Sequence, residues 1–518
     1  MTKLRDLLAR GYFARELPPP FTTDIYARIV TLRAKTLPTS FTDVKKLLAK
    51  FALHDIPNLG LRRRVTGLPN PILHYNLCKT IVDNWNLIDS HCQSSHLSHS
   101  HPTFSPTGRA VVPSYTESQL APIRSRIRAL SKYSLKADIS RFYPSLYTHS
   151  IPWALHTKPA AKVNKKGNIL GNILDQLVRN GQDGQTIGIP IGTDTSLIIS
   201  EIVLSAFDNN LNKDMPQLRG FRYVDDFEFG FRSYSEAEDG LAMLRSNLRE
   251  FDLDLNTQKT SIINLPSPVD KPWVSQLREY PLNGTPRKQN TQLKAYFNNS
   301  LEFANSYPSD HVLKYAIPKL KSTDIAEENW FDVETFLFQC IMAESNTFFP
   351  VLTLLKKYHE LEYPINLDDL ELLMNFQITQ RCSANHGNEV AWAVWALIFW
   401  DRQISEDAAK ELGKMRDSIV ALLTLDAQSR GLISKGLNTS LWETYMQDEK
   451  NLYDSMWLLT YEANIKGWLT PTIDPIAKDK NFEFLRQHKV EFYDPRRVKQ
   501  VTINDIWSSQ LNVPLFSF

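Results

Sequence analysis

Asp225 and Asp226 stand side by side in the run Tyr223-Val224-Asp225-Asp226, and a third aspartate, Asp138, lies in the short strand-like run 134–139. A strand-end carboxylate brought beside such a pair gathers several negative charges at short range, which is unfavourable unless cations neutralise them. Mg²⁺ prefers oxygen ligands and commonly takes one or two carboxylates, completing its shell with substrate phosphates. Two such ions about 4 Å apart activate an attacking hydroxyl and stabilise a leaving pyrophosphate, so the chemistry on offer is nucleotidyl transfer. In that reading Asp138 and Asp225 are the direct ligands, while Asp226 shapes the field or coordinates intermittently. A doubled aspartate is also ordinary hairpin-turn chemistry, so the surrounding elements must decide.

Those elements can be read from the pattern. The strand at 134–139 leads to Asp138, and a helical segment follows Pro144. Asp194 stands where an N-cap would, ahead of a broadly apolar helix over 195–211. A hairpin comes next, with arms at 220–224 and 227–232 and its turn at Asp225 and Asp226. Its second arm alternates, placing Phe227, Phe229 and Phe231 on one face and Glu228 and Arg232 on the other. Leu241, Leu244, Leu248 and Phe251 then recur at helical spacing, and strand candidates at 253–255 and 260–263 close the unit. Strand, helix, strand, strand, helix, strand is the order of a split βαβ, ferredoxin-like sheet.

At 518 residues the chain calls for two or three domains. Residues 1–280 read as a mixed α/β unit. Residues 290–518 read as all-α, with amphipathic stretches at 330–342, 349–358, 367–376, 390–400 and 419–425. These could stack as a repeat-like solenoid, although no fixed period is visible. Between the two units, Pro266, Pro268, Pro272, Pro281, Gly284 and Pro286 read as a linker. A net charge of +2 neither requires nor excludes a nucleic-acid partner. Four scattered cysteines argue against a disulfide scaffold. The longest apolar run, 390–400, falls far short of the roughly 20 residues that span a bilayer, and charges interrupt the N-terminus. The expectation is a cytoplasmic protein with no membrane partner.

Four segments resemble the successive motifs of reverse transcriptases: LKADISRFYPSLYTHSIPWAL, GIPIGTDTSLIISEIVLSAFD, FRYVDDFEFGF and LDLNTQKTSI. The first is similar in flavour to the bacterial abortive-infection group, of the AbiK-like type and its prophage-borne relatives. The resemblance covers roughly residues 60–265 and, more loosely, the helical half. It implies a palm and fingers followed by a helical domain in place of a thumb, with Asp138, Asp225 and Asp226 as catalytic carboxylates. Two Mg²⁺ ions, with Mn²⁺ as a substitute, would sit on them and on the backbone of Ile139. Tyr143 would lie under the incoming sugar and exclude a 2′-hydroxyl. Backbone amides over Ile139, Ser140, Arg141 and Phe142 would face the triphosphate, Gly192 would line the nucleotide, and Lys259 would stabilise or protonate the leaving pyrophosphate. One departure is marked: Pro190-Ile191-Gly192 stands where templated enzymes carry Pro-Gln-Gly, and isoleucine cannot make the glutamine's polar contacts.

Basic residues at Arg62, Arg63 and Arg64, at Arg124, Arg126 and Arg128, and at Arg109 are phosphate candidates if the family's fingers lie there; the competing reading is a solvated helix face. His91, Cys92, His96, His99 and His101 have zinc-ligand types without zinc-site spacing, so a flexible fingers loop is the better reading. Trp392, Trp395, Phe399 and Trp400 read as helix core rather than a base-stacking platform.

The resulting expectation is a protein-primed, template-independent DNA polymerase that acts in defence against phage. It would use deoxynucleoside triphosphates, carry its single-stranded product covalently, and assemble as a homotrimer or hexamer. Two alternatives stand beside it: a conventional RNA-templated reverse transcriptase, and a catalytically silent nucleic-acid-binding scaffold. The sequence does not identify a priming residue; Tyr12 and Tyr115 are only positional guesses.

Overall fold

Alternating apolar side chains and turn residues set eight strands among residues 2–58, 62–164, 169–268 and 271–500, the residues described by this computed structural model. They are β1 (Ala52–Pro57), β2 (Arg63–Leu68), β3 (Pro102–Phe104), β4 (Val111–Pro113), β5 (Tyr133–Asp138), β6 (Arg219–Tyr223), β7 (Asp226–Phe231) and β8 (Ser261–Asn264). β1–β2 and β3–β4 are separate antiparallel pairs, and the other four form one sheet in the order β6-β7-β5-β8. Every pairing in that sheet is antiparallel. This is the ferredoxin-like order read from the sequence.

One face of the sheet is apolar. Leu135, Ala137, Phe227, Phe229 and Phe231 are buried, and helices Asp194–Asp214 and Tyr234–Arg249 pack on that side, with Phe207 meeting Phe227 edge-on. Ser233 and Glu236 close a capping box at the start of the second helix. The opposite face is polar yet also covered. Glu228, which alternation places there, is buried under helix Glu117–Ala129, where Arg124 and Arg128 bond to it at 2.8 and 2.7 Å.

Four local readings are corrected. Thr193, not Asp194, precedes the long helix; the Asp194 carboxylate instead accepts from Arg109 and from the Val111 amide. The hairpin turns at Val224 and Asp225, and Asp226 already pairs with Tyr223. The 253–255 run is too short to form a ladder, and only Leu255 makes a bridge, to Ile139. The proline-rich linker contains helix Pro272–Arg278, whose Trp273 is fully buried and donates to Asp310 at 2.8 Å. Its Pro272 sits at the first helical position, where a missing N–H costs nothing.

The expected helical stretches appear as Trp330–Ala343, Phe348–Glu360, Leu367–Ser383, Gly387–Phe399 and Ser418–Ser429. Neighbouring helices pack in sequence order, from Leu367–Ser383 to Gly387–Phe399, then to Ser418–Ser429 and Trp457–Ile465. Trp392, Trp395 and Trp400 are buried there, so they are core and offer no face for stacking bases. Helix Gly387–Phe399 also packs against β1. The beginning of the chain is sewn to the far end: Thr22 donates to the Phe492 carbonyl at 2.9 Å, Asp494 donates to the Pro20 carbonyl at 2.8 Å, and Phe21 bridges Tyr493.

Candidate active site

The β5–β7 register sets Asp138 directly across from Asp226, and Asp225 occupies the adjoining turn, its carbonyl accepting from the Ile139 amide at 3.2 Å. Two strand ends therefore deliver the three carboxylates to one edge of the sheet. Asp138 is 6% exposed. It accepts from Asn256 Nδ2 at 3.1 Å and from Lys259 Nζ at 3.0 Å, while the Asn256 amide donates to its carbonyl at 2.7 Å. Lys259 is thus an ion-pair partner of Asp138 rather than a plain surface lysine. Burial, and then the charge of Asp138, push the Asp225 carboxyl up to about 6, against the pull of Lys259 and Arg64.

A cavity of about 1060 Å³ opens onto these residues, and Tyr143, Gly192 and Lys259 are in its wall. Tyr143 is half-buried, its carbonyl accepts from the Ile189 amide at 2.9 Å, and burial and Asp225 keep its phenol protonated. Gly192 has φ of 106°, and a Cβ there would come within 2.8 Å of the Ala14 Cβ. Only glycine suits that position. The backbone of Ile191 is fixed by a bridge to Thr66, and its carbonyl accepts from the Gly67 amide at 3.2 Å.

The backbone reading of 139–142 is corrected in part. The amides of Ile139 and Ser140 are spent on the carbonyls of Asp225 and Asp254. The bend at Arg141, with φ of 47°, and the head of the short helix Phe142–Ser145 remain on the cavity side.

The arginines separate. Arg64 is exposed on the cavity wall and lies close enough to lower the Asp225 and Tyr143 pKa values. Arg62 donates to Gln258 at 2.9 Å. Arg63 is committed to Asp55 and Glu389. Arg109 clamps Asp194 and the carbonyls of Phe13, Gly11 and Gly192. Arg124 and Arg128 serve Glu228, so both are structural where the sequence suggested phosphate binding; Arg126 is exposed.

The serine- and histidine-rich stretch is also corrected. His91 and Cys92 lie on helix Trp85–Gln93, His91 bonded to the Ile202 carbonyl and Cys92 buried. Ser95, Ser98 and Ser100 are buried and bonded to Asp208 and Glu201. These carboxylates surround Arg222, which is itself fully buried. Sequence reasoning missed this network. Its signal is present: Glu201 and Asp208 are seven residues apart, among the apolar residues on one face of the long helix, where two buried carboxylates call for a cation.

Among the described residues no three His, Cys, Asp or Glu side chains converge as a ready-made metal cage. The donor set fits a divalent ion that takes two carboxylates and completes its shell with substrate phosphates. Mutual repulsion of Asp138 and Asp225 is the local sign of that fit.

No curated protein matches the chain in sequence. Among solved structures it is similar to telomerase from Candida albicans in complex with the TWJ fragment of telomeric RNA, at 13% identity and a TM-score of 0.32, covering 64% of this chain and 65% of that one. It is also similar to apo telomerase from Candida tropicalis, at 14% identity and a TM-score of 0.34, covering 78% and 73%. The chain thus spans about two thirds of the first of these structures. Residues 78–294 match the family described as reverse transcriptase (RNA-dependent DNA polymerase). That span holds all three aspartates, the four-stranded sheet and Lys259, and it is a reverse transcriptase domain.

Proposed function

We propose that the chain is a DNA polymerase that begins synthesis on a hydroxyl of its own protein, extends without a template, and acts in abortive-infection defence against phage. The observation that carries the polymerase reading is the register placing Asp138 opposite Asp226, with Asp225 at the adjoining turn, on a cavity with Tyr143 in its wall. Untemplated synthesis draws support from Ile191, whose side chain offers no polar group to a template strand. The defence role rests on the likeness of FYPSLYTHSIPWAL to the abortive-infection group.

In this reading Asp138, Asp225 and Asp226, with the Ile139 carbonyl, hold two divalent ions, Mg²⁺ or Mn²⁺. Such ions supply Lewis acidity for attack of a hydroxyl on the α-phosphate. The chain's own groups do the rest. Arg64 and the bend at Arg141 bind the triphosphate, Tyr143 lies under the sugar and leaves no room for a 2′-hydroxyl, and Gly192 lets the backbone approach the nucleotide. Lys259, 3.0 Å from Asp138, gives its proton to the departing pyrophosphate. Residues 1–280 act as fingers and palm, and residues 290–518 back the fingers. The chain works as a homo-oligomer carrying covalently attached single-stranded DNA.

The test is incubation of the purified protein with Mg²⁺ and labelled deoxynucleotides, without primer or template, followed by a denaturing protein gel beside Asp225→Ala. Label on the wild-type protein that is lost on proteolysis and absent from the variant supports the proposal. The family description itself favours a templated enzyme; synthesis only after addition of primer and RNA would establish that reading instead.

A further inference from the structure

Val224 precedes the central aspartate of the site and has φ of 54°. A β-branched residue rarely adopts that conformation, which is strained and persists only where its surroundings impose it. Here they do, from both sides of the residue. The Val224 amide donates to Ser100 Oγ at 2.8 Å, and Arg222 Nη1 donates to the Val224 carbonyl at 2.9 Å.

Both partners are themselves fixed. Arg222 bonds Glu201 at 2.7 and 3.0 Å and Asp208 at 2.7 to 3.0 Å, and all three side chains are essentially inaccessible to solvent. Ser100 donates to Glu201 at 2.7 Å. The polar cluster thus ends on one backbone residue, and that residue aims Asp225. An ion network is a poor way to gain stability when an apolar core would serve. As a clamp on a strained turn, its placement has a purpose.

We infer that Arg222 and Ser100 are positioning residues that hold the Val224 peptide groups so that Asp225 faces Asp138. The inference deepens the nucleotidyl-transfer reading and rests on it for its effect on turnover, but the placement of Asp225 can be read independently.

The variants Ser100→Ala and Ser95→Ala each delete one buried serine hydroxyl from the same network. Only Ser100 touches the turn; Ser95 bonds Asp208 on the far side at 2.6 Å. The full-length wild type and both variants are compared by melting temperature, by Mn²⁺ binding from loss of the free-ion EPR signal, and by label incorporation against nucleotide concentration. The two variants are expected to melt within a few degrees of each other. Ser100→Ala should weaken Mn²⁺ binding at least about fivefold and lower kcat about 10- to 100-fold, with nucleotide KM within about twofold, because sub-ångström misplacement is felt at the reacting atoms. Ser95→Ala should stay within about twofold of wild type in Mn²⁺ binding and kcat. Arg222→Lys keeps the buried charge but loses the fork that reaches Val224, so it should shift Mn²⁺ binding in the same direction as Ser100→Ala. If Ser100→Ala does not accumulate, Ser100→Cys takes its place with the same expected direction. Equal behaviour of the Ser100 and Ser95 variants would overturn the inference. A wild type that incorporates no label while Mn²⁺ binding still separates the variants would defeat the polymerase reading and leave the positioning role standing.

Discussion

Arg63 holds Glu389 through two parallel bonds of 2.6 and 2.8 Å, joining a strand of the first hairpin to a helix of the C-terminal half. Glu389 is fully buried and Arg63 mostly so. The same hairpin is pinned again by His54, whose Nδ1 lies 2.8 Å from Asp417. Arg64 on the cavity wall therefore stands on a strand that the helical half fixes in place. Glu389→Ala, which leaves the part-buried Arg63 guanidinium with Asp55 alone, should cost about 1–3 kcal/mol and lower activity with it. In a double-mutant cycle with Arg63→Ala the two losses should be strongly non-additive. Simple additivity in denaturant melts would show that the pair is not the link.

Burial and then the charge of Asp138 raise Asp225, so the metal-free site is under electrostatic strain at neutral pH. Asp225→Asn removes that strain and the activity together. In chelator at pH 8 the variant should melt above wild type, by an amount on the order of 1–3 kcal/mol. Added Mg²⁺ should raise the wild type far more than the variant. A variant that melts lower than wild type in chelator would contradict this account.

Arg64 and Arg124 should part company in kinetics. Arg64→Ala, at an exposed cavity position, is expected to raise nucleotide KM about tenfold at unchanged melting temperature. Arg124→Ala removes one of the arginines on buried Glu228. It should lower the melting temperature while leaving KM near wild type. The reverse pattern would restore Arg124 as a phosphate ligand.

Tyr143 in the cavity wall gives a selectivity test. Tyr143→Ala should admit ribonucleotides, improving their kcat/KM relative to deoxynucleotides by about 10- to 100-fold. Unchanged sugar discrimination in competition assays would remove Tyr143 from under the sugar.

Glu462, which is not in the cavity wall, sets a second pH dependence. Burial pushes its carboxyl from an ordinary 4.5 up to about 7, despite Lys466 and a bond from the Phe492 amide. The folded chain therefore binds this proton more tightly than the unfolded chain. Its stabilisation is complete below about pH 4.5 and is lost as pH rises through 7. Glu344, raised to about 7 by burial, acts in the same sense. Glu462→Gln should flatten the decline in melting temperature between pH 5 and 8 and gain on wild type at pH 8. Parallel curves for the two proteins would refute it.

The palm was legible because its signals are local. Phe227, Phe229 and Phe231 alternate, and the sheet that carries Asp138 opposite Asp226 follows from the order of elements. The helices of the C-terminal half were legible for the same reason, as runs of apolar periodicity. What escaped depends on pairings distant in sequence. Nothing near Arg124 or Arg128 announces Glu228, about a hundred residues on. The serines at 95, 98 and 100 look like a loose loop until Asp208, Glu201 and Arg222 arrive beneath them. Trp273 sits in a proline-rich stretch whose composition suggests a linker, and only Asp310 and the core around it explain its burial.

The seam between Phe21 and Tyr493 has a consequence for biosynthesis. Roughly 470 residues separate the two partners, so the seam can close only after all of those residues have been made. Contacts of such long sequence separation slow folding, and until this one forms Tyr12 and Tyr26 lack the ring of Phe492 on one side while keeping their bonds to the Pro69 and Pro71 carbonyls. A chain cut short before Phe492 would keep the contacts of its opening helices with helix Pro71–Asp83 but would lack the strand-like seam that closes over them.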